Sequence, residues 1–305
     1  MTRLPVSRLV RDMAYRLAVA TRYPAYRRRR GAAVFAFHNV VADHGVPERC
    51  DRSLHVGLTE FQDYVSVVTD GYTVVPLIEI AERVRHRNNV DGLAALTFDD
   101  AYLGVVTHAV PVLARQRLPA TLFVVSGSAA APAPFWWDLL GVNGDIPAAV
   151  RERALRDLRG DRDMVLAEHQ VSHAGMPSEF LPAGWRDVRA AAREGVSIGS
   201  HTASHYNLAA LDVSAVLREL ERARAEIGAA LGTPPAAVSY PYGLLNDSVL
   251  DAARRAGYTT GVTLQFGLVT RDSDPLALPR INVPAGISLP ALECWAAGLR
   301  LRGAS

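Results

Sequence analysis

The chain contains no lysine; every one of its 33 basic residues is arginine. That excludes Schiff-base chemistry, a phosphate loop that ends in lysine, a kinase-type lysine and a Ser–Lys dyad. Cysteine is almost as scarce. Cys50 and Cys294 are the only two, far apart and in no C-x-x-C pattern, so no disulfide framework is expected and both read as buried thiols. Long apolar runs are missing as well. The longest near the start is broken by Arg11, Asp12 and Arg16, which leaves no signal-peptide core and no membrane-spanning segment, and points to a cytoplasmic location.

What is present begins with a charge asymmetry. Residues 1–30 hold nine arginines against one acid, Asp12, a local +8 in a chain of +2, so the remainder carries −6. Residues 7–21 have helical spacing, with Leu9, Val10, Met13, Ala14, Leu17 and Ala18 on one face and Arg8, Arg11 and Arg16 off it. Two readings stay open: a helix packed on the body, or a basic amphipathic helix at the inner face of a membrane. The second would be a peripheral contact through residues 7–30, reinforced by Arg27–Arg30. Four arginines without interleaved aromatics form only a generic basic patch, so no nucleic-acid partner is expected.

A chain of 305 residues, 49% hydrophobic, suffices for one large core. Apolar strand patterns at 32–38, 72–75, 93–98, 120–125, 196–200, 237–240, 259–263 and 278–283 alternate with helical ones at 58–68, 77–84, 105–117, 185–193, 213–231, 247–256 and 289–299. Such alternation predicts an α/β fold with a parallel sheet, and polar residues at repeated strand ends predict a barrel with chemistry at its C-terminal rim. The expected organisation is a basic arm over 1–30 and a catalytic body over 31–305. A helical insertion at about 127–184 interrupts the rhythm and opens with Phe135-Trp136-Trp137-Asp138.

Two strand ends carry the chemistry. Asp99 and Asp100 follow the apolar run that ends at Phe98. Adjacent side chains there diverge, so Asp100 can ligate a metal while Asp99 faces its water; a paired acid can also merely start a helix. His201 and His205 follow Gly199-Ser200 at another strand end. One Asp and two His make three ligands and leave a fourth position open, the arrangement of a catalytic site. Thr202 and Ser204 can support the loop or a ring nitrogen. His169 and His173 share the spacing but have no strand end or acid pair beside them, and read as a decoy. The turn Pro241-Tyr242-Gly243 ends a further strand, and the Tyr242 N–H is an oxyanion-donor candidate. His38 ends the first strand. Arg280 is a charge within an apolar strand and needs a partner, for which Asp99 suits.

In this order, Phe37-His38, Thr97-Phe98-Asp99-Asp100, His201-Thr202-Ala203-Ser204-His205, Tyr240-Pro241-Tyr242-Gly243 and Leu278-Pro279-Arg280 resemble the polysaccharide deacetylase family. This is the NodB-homology group, carbohydrate esterase family four. The resemblance covers most of residues 31–285. It implies a distorted, incomplete seven-stranded barrel related to the TIM barrel, a divalent metal, usually zinc, and hydrolysis of N-acetyl or similar N-acyl groups on an amino sugar, glycolipid or oligosaccharide. It makes Asp99 the base, Asp100, His201 and His205 the metal ligands, and Tyr242 the oxyanion donor. Trp136 and Trp137, with Tyr240 and Pro241, are expected at the substrate, the tryptophans having buried packing as their other reading.

Two features depart from the family pattern. No arginine precedes the Pro-Tyr-Gly turn, so Arg280 is expected to brace the base. No histidine follows Tyr258, so the general acid is His38 or solvent. The rival readings are a non-catalytic carbohydrate-binding protein on the same fold and a deformylase or deacylase of a lipid-linked sugar. The retained Asp99 counts against a pure binder, which has no use for a base.

Overall fold

A computed structural model describes residues 8–24, 30–43, 45–47, 50–141, 143–169, 171 and 175–301. Helix α1 (Arg8–Ala20) precedes β1 (Ala33–Phe37), β2 (Asn39–Val41), β3 (His55–Gly57), α2 (Leu58–Gly71), β4 (Thr73–Val74), α3 (Leu77–Arg85) and β5 (Leu93–Phe98). There follow α4 (Val110–Gln116), β6 (Ala120–Val124), α5 (Ser126–Ala130), α6 (Ala148–Arg156), α7 (Arg162–His169), α8 (Trp185–Arg193) and β7 (Ser197–Ser200). The chain ends with α9 (Val213–Leu231), β8 (Ala237–Ser239), α10 (Asp247–Arg255), β9 (Thr260–Val262), β10 (Ile281–Asn282) and α11 (Leu289–Ala296).

Seven parallel strands pair in the order β10-β1-β5-β6-β7-β8-β9, with β4 added beside the start of β5. The circle closes just before β10. Leu278 N–H donates to Gly261 O at 2.8 Å and Thr263 N–H to Leu278 O at 2.9 Å, a parallel bridge onto β9. The architecture is therefore the seven-stranded α/β barrel that the alternation and the resemblance led one to expect. All C-terminal strand ends lie on one rim, and Asp99-Asp100, His201 and Pro241-Tyr242 are brought together there because each directly follows a strand.

Local chemistry accounts for the surrounding helices. Asp212 caps α9 through Ala215 N–H at 2.9 Å, and Gly232 at φ +80° stops it. Its buried Val216, Leu220, Ala223 and Ile227 fall at helical spacing and face the barrel. The segment expected as one helix over 105–117 begins instead with a π turn, Val105–Ala109, because Pro111 at the start of α4 cannot supply the next helical N–H. The short parallel pair β2–β3 has no counterpart in the sequence pattern; strands of three residues are too short for a period to show.

The insertion belongs to the body. Ala154, Val165 and Leu166 bury into the same apolar cluster as Phe35, Phe37 and Phe98. His169 is exposed at the end of α7, while His173 and Arg27–Arg29 lie outside the described residues. Both cysteines are free and buried, and burial pushes the Cys50 thiol up to about 12 and that of Cys294 to about 11. No described helix is long and apolar enough to cross a membrane.

Closure of the barrel rests on close backbone approach at β9. A Cβ at Gly261 would stand 2.2 Å from Leu276 O, and Gly261 N–H itself donates to Pro275 O at 2.8 Å. Gly261→Ala should therefore cost about 1–3 kcal/mol of stability in urea unfolding, the range of an overpacked core. Gly184→Ala, whose added Cβ meets nothing nearer than 3.6 Å, should cost under about 1 kcal/mol in the same measurement.

Candidate metal centre at the barrel rim

Strand alternation turns Thr97 and Asp99 into the barrel and Phe98 outward, where it stacks on Phe37 with ring centroids 5.6 Å apart. Inside, Arg280 Nη1 donates to Asp99 Oδ1 at 2.9 Å and Nη2 to Oδ2 at 2.6 Å, a two-pronged ion pair. The guanidinium is fully buried and spends its other donors on Thr97 Oγ1 at 3.0 Å, Ser239 Oγ at 2.9 Å and Thr263 O at 2.8 Å. Burial alone would push the Asp99 carboxyl up; the Arg280 charge and its hydrogen bonds, together with the neighbouring His201 and His38, outweigh it and hold Asp99 well below the usual carboxylate range. Asp99 is thus an ionised, immobilised carboxylate at neutral pH.

Asp100 goes elsewhere because the backbone turns left-handed as the strand ends, at φ +66° for Asp100 and +52° for Ala101. Its Oδ1 lies 3.4 Å from His201 Nε2 and 3.2 Å from His205 Nε2, and the two Nε2 atoms are 3.1 Å apart. Ligand atoms about 2.0–2.1 Å from a tetrahedral ion stand about 3.3–3.4 Å from one another. The three side chains are 2%, 2% and 6% exposed.

The histidines do not sit on a helix. They lie in the loop after β7, with Thr202 at φ +65° and His205 at φ +57°. The Thr202 hydroxyl accepts from His205 N–H at 3.1 Å, and Glu219 holds Ser204 through its N–H at 2.9 Å and its hydroxyl at 3.0 Å. Thr202 and Ser204 therefore brace the loop backbone and not an imidazole. Of the ten described non-glycine residues with left-handed φ, five are Asp100, Ala101, Thr202, His205 and Tyr242; backbone strain is concentrated where the donor atoms converge.

His201 Nδ1–H donates to Ser239 O at 2.7 Å, which leaves Nε2 its lone pair. His205 Nδ1 has no hydrogen-bond partner among the described residues; its ring is held by neighbours, Tyr242 at 4.6 Å and Trp137 at 4.9 Å between centroids. Burial pushes His205 down to about 3 and His201 downward, so both imidazoles are neutral and free to ligate. Burial pushes the Asp100 carboxyl up to about 6. Asp100 Oδ1 is itself buried without a hydrogen-bond partner among the described residues. One oxygen and two nitrogens at this spacing, with the oxygen lacking any donor, fit a divalent cation.

The other expected residues divide. His38, at the end of β1, is half-buried; burial lowers its pKa, while the charges of Asp100 and Asp99 oppose the shift, so all three groups share the rim. The Tyr242 N–H donates no backbone hydrogen bond among the described residues. Trp136 and Trp137 are 1% and 4% exposed, which favours packing over an open stacking platform. Trp136 Nε1–H donates to Tyr242 OH at 3.2 Å. Pro241 is buried in its turn. Tyr240 lies away from the rim: its ring packs with Leu208, Val216 and Leu220 outside the barrel and its hydroxyl donates to Leu276 O at 2.9 Å. It is a core residue, not a substrate contact.

A buried network that the sequence reading passed over supports Trp137. Trp137 Nε1–H donates to Tyr102 OH at 2.7 Å, and Tyr102 OH donates to Asp138 Oδ2 at 2.6 Å. His55 Nε2 meets Asp138 Oδ1 at 2.9 Å, and Asn39 Nδ2–H donates to His55 Nδ1 at 3.1 Å, so Nε2 carries the His55 proton. The available signal was Asp138, an acid in an aromatic run, which needs a buried partner for the reason that Arg280 does. Asn282 was passed over too. Two residues beyond Arg280 and so on the same face of the strand, it has a buried Oδ1 without a partner.

Seven parallel strands closed around a buried Asp/His/His cluster at the C-terminal rim define a barrel with a candidate catalytic metal centre. A model of the polysaccharide deacetylase family matches residues 86–261, more than half of the chain, and the chain belongs to that family. It is 24% identical over 245 residues, 80% of this chain and 71% of the other, to YxkH of Bacillus subtilis (strain 168), whose name marks it a candidate polysaccharide deacetylase. A 47-residue stretch, 15% of this chain and 16% of the other, is 47% identical to the poly-β-1,6-N-acetyl-D-glucosamine N-deacetylase of Staphylococcus epidermidis. Among solved structures, IcaB from Ammonifex degensii superposes with TM-score 0.61 at 20% identity, over 88% of this chain and 97% of that one. The Streptococcus pyogenes deacetylase PplD, solved with acetate, gives 0.60 at 18% over 85% and 95%. These likenesses establish the fold.

Metal binding is open to direct test. The purified chain should take up one zinc ion, read by elemental analysis, and His201→Ala should abolish uptake. The dependence on pH has a definite sign. Without a cation, ionising Asp100 opposes folding, because its folded value of about 6 lies above the ordinary carboxylate value. A cation favours the ionised form. Its stabilising effect in thermal unfolding should therefore grow between about pH 5 and about pH 7.5; equal shifts at both would contradict the ligand set.

Proposed function

We propose that the protein is a zinc-dependent N-deacylase that removes an acetyl or similar acyl group from an amino sugar carried on a lipid, a nucleotide or a short glycan. The observation that carries this is the separate fate of two adjacent carboxylates: Asp99 bound to Arg280, and Asp100 turned toward two imidazoles. A structural metal site needs no second carboxylate held ionised beside it. The family, and the poly-N-acetylglucosamine deacetylase among the relatives, support an N-acylated amino sugar as substrate.

Asp100, His201 and His205 would hold the cation. Bound there, it supplies Lewis acidity to an acyl carbonyl and lowers the pKa of a coordinated water. Asp99 accepts the proton of the attacking water on a carboxylate oxygen; the Arg280 fork occupies one lone pair of each oxygen and leaves the others free. The Tyr242 N–H donates to the oxyanion, a contact worth about 3 kcal/mol. His38, the histidine at the end of the neighbouring strand, passes to the leaving amine the proton that Asp99 took from the water. Trp137 and Tyr242 exclude water from one side of His205.

Acetate and formate release from N-acylated chito-oligomers, with a chelator control, tests the reading. Asp99→Asn should keep the metal and lose about 10²–10⁴-fold in turnover, the usual contribution of a positioned base. Near-normal turnover in Asp99→Asn would remove Asp99 from the mechanism, and absence of any acyl release from the wild type across the screen would remove the activity.

A further inference from the structure

Helix α1 packs on the body, but not through its apolar stripe. The body side is polar and aromatic: the Ser288 hydroxyl donates to Asp12 Oδ1 at 2.6 Å, and buried Tyr15 OH accepts from Trp295 Nε1–H at 2.9 Å and from Leu301 N–H at 3.0 Å. Ala18 and Val19 pack beside it. The apolar stripe points outward, with Leu9 71%, Met13 62% and Leu17 67% exposed. Of the eight large apolar side chains exposed among the described residues, four, these three and Val10, are on this one helix. Residues 9, 13 and 17 succeed one another at i, i+4, so the stripe is continuous. A helix anchored by one face while it offers such a stripe to water has a second surface to meet.

Charge and position choose that surface. Arg16 stands at the edge of the stripe, 68% exposed although paired with Asp12 at 2.7 Å, and Arg22 is exposed just beyond the helix. The chain then continues into Arg27–Arg30, whereas the rest of the protein is net acidic. Apolar side chains flanked by a concentration of arginine match the acyl and headgroup layers of an anionic bilayer. Position adds to this. Asp12 and Tyr15 line a cleft with Pro284, Gly286 and Ser288, in the loop that leaves the C-terminal end of β10. Since the strands are parallel, this is the rim that carries Asp100 and the histidines.

We infer that α1 is a membrane-docking helix: Leu9, Met13 and Leu17 enter an anionic lipid surface, with arginines at the headgroups, and bring the catalytic rim to that surface. Docking itself is independent of the deacylase reading; only a lipid-carried substrate rests on it.

Flotation of the full chain with vesicles, without substrate, tests the docking. Vesicles of phosphatidylglycerol and phosphatidylcholine should bind the wild type about tenfold or more tightly than phosphatidylcholine alone, and rising salt should weaken the binding. The variant L9Q/M13Q/L17Q, which keeps good helix formers, should lose about tenfold or more in affinity. Its thermal unfolding and acyl release from chito-oligomers should stay at wild-type values. Single Leu9→Gln and Leu17→Gln variants, each about threefold weaker, carry the test if the triple variant does not fold. Equal binding of the triple variant, or no binding by the wild type, overturns the proposal. So does a wild-type dimer that the triple variant converts to monomer, which would assign the stripe to a second copy.

Discussion

Two neighbouring carboxylates at the end of β5 lie in a nearly dry interior, and neither can be left there uncompensated. Burying an isolated carboxylate costs several kcal/mol even after relaxation, so each needs its own counter-charge, and the two cannot share one without losing their separate roles. Left-handed backbone at Asp100 and Ala101 sends the side chains apart. Asp99 meets a guanidinium whose five donor contacts draw together groups on β5, β8, β9 and the approach to β10. Asp100 meets two imidazoles that burial keeps neutral. Arginine compensates the first, whereas among the described residues no arginine meets the second, which is why the cluster calls for a cation.

The second histidine shows how a ring can be oriented without a hydrogen bond. His201 is fixed through Nδ1 to a strand carbonyl, whereas His205 Nδ1 has no partner among the described residues. Shape does the work there. Tyr242 and Trp137 bracket the imidazole, and each is tied back by a hydrogen bond, Tyr242 to Trp136 and Trp137 to Tyr102. Asp138 and His55 finish that chain in the fully buried region beneath. The insertion thus supplies one wall of the metal centre, although none of its residues belongs to the donor set.

The barrel and its rim could be read from residue patterns because both arise from local rules. Apolar runs that stop at polar residues mark strand ends, and parallel strands put those ends on one side. Residues four apart, as His201 and His205 are, converge on a helical turn, but here convergence is achieved by two left-handed residues, which no pattern of side-chain types announces. Tyr240 shows a rule left unused. Ser239 faces the barrel interior, where its hydroxyl accepts from Arg280, and a strand's period of two then obliges Tyr240 to face the helices. The sequence leaves the direction of the α1 stripe open, toward the body or away from it, for another reason. Helical spacing identifies an apolar face but does not say that Tyr15 and Asp12, on the opposite side, would hold the stronger claim on the body.

The two departures from the family pattern have a common structural explanation. Where an arginine is expected before the Pro-Tyr-Gly turn, this chain has Ser239, and its hydroxyl occupies a fork position of Arg280 arriving from the strand side of β10. A long side chain at 239 would compete for the space that the guanidinium fills. The small residue and the transplanted charge are therefore halves of one arrangement, and what is kept is the charge against Asp99, not its place in the chain. The same reasoning applies to the proposed proton donor. Strand β1 lies between β10 and β5 in the circle, so a residue that ends β1 stands between the arginine's strand and the acid pair. His38 holds that place, and both carboxylates act on its ring. In the proposed reaction a histidine late in the sequence is unnecessary, because the order of strands around the barrel already sets His38 beside the two carboxylates.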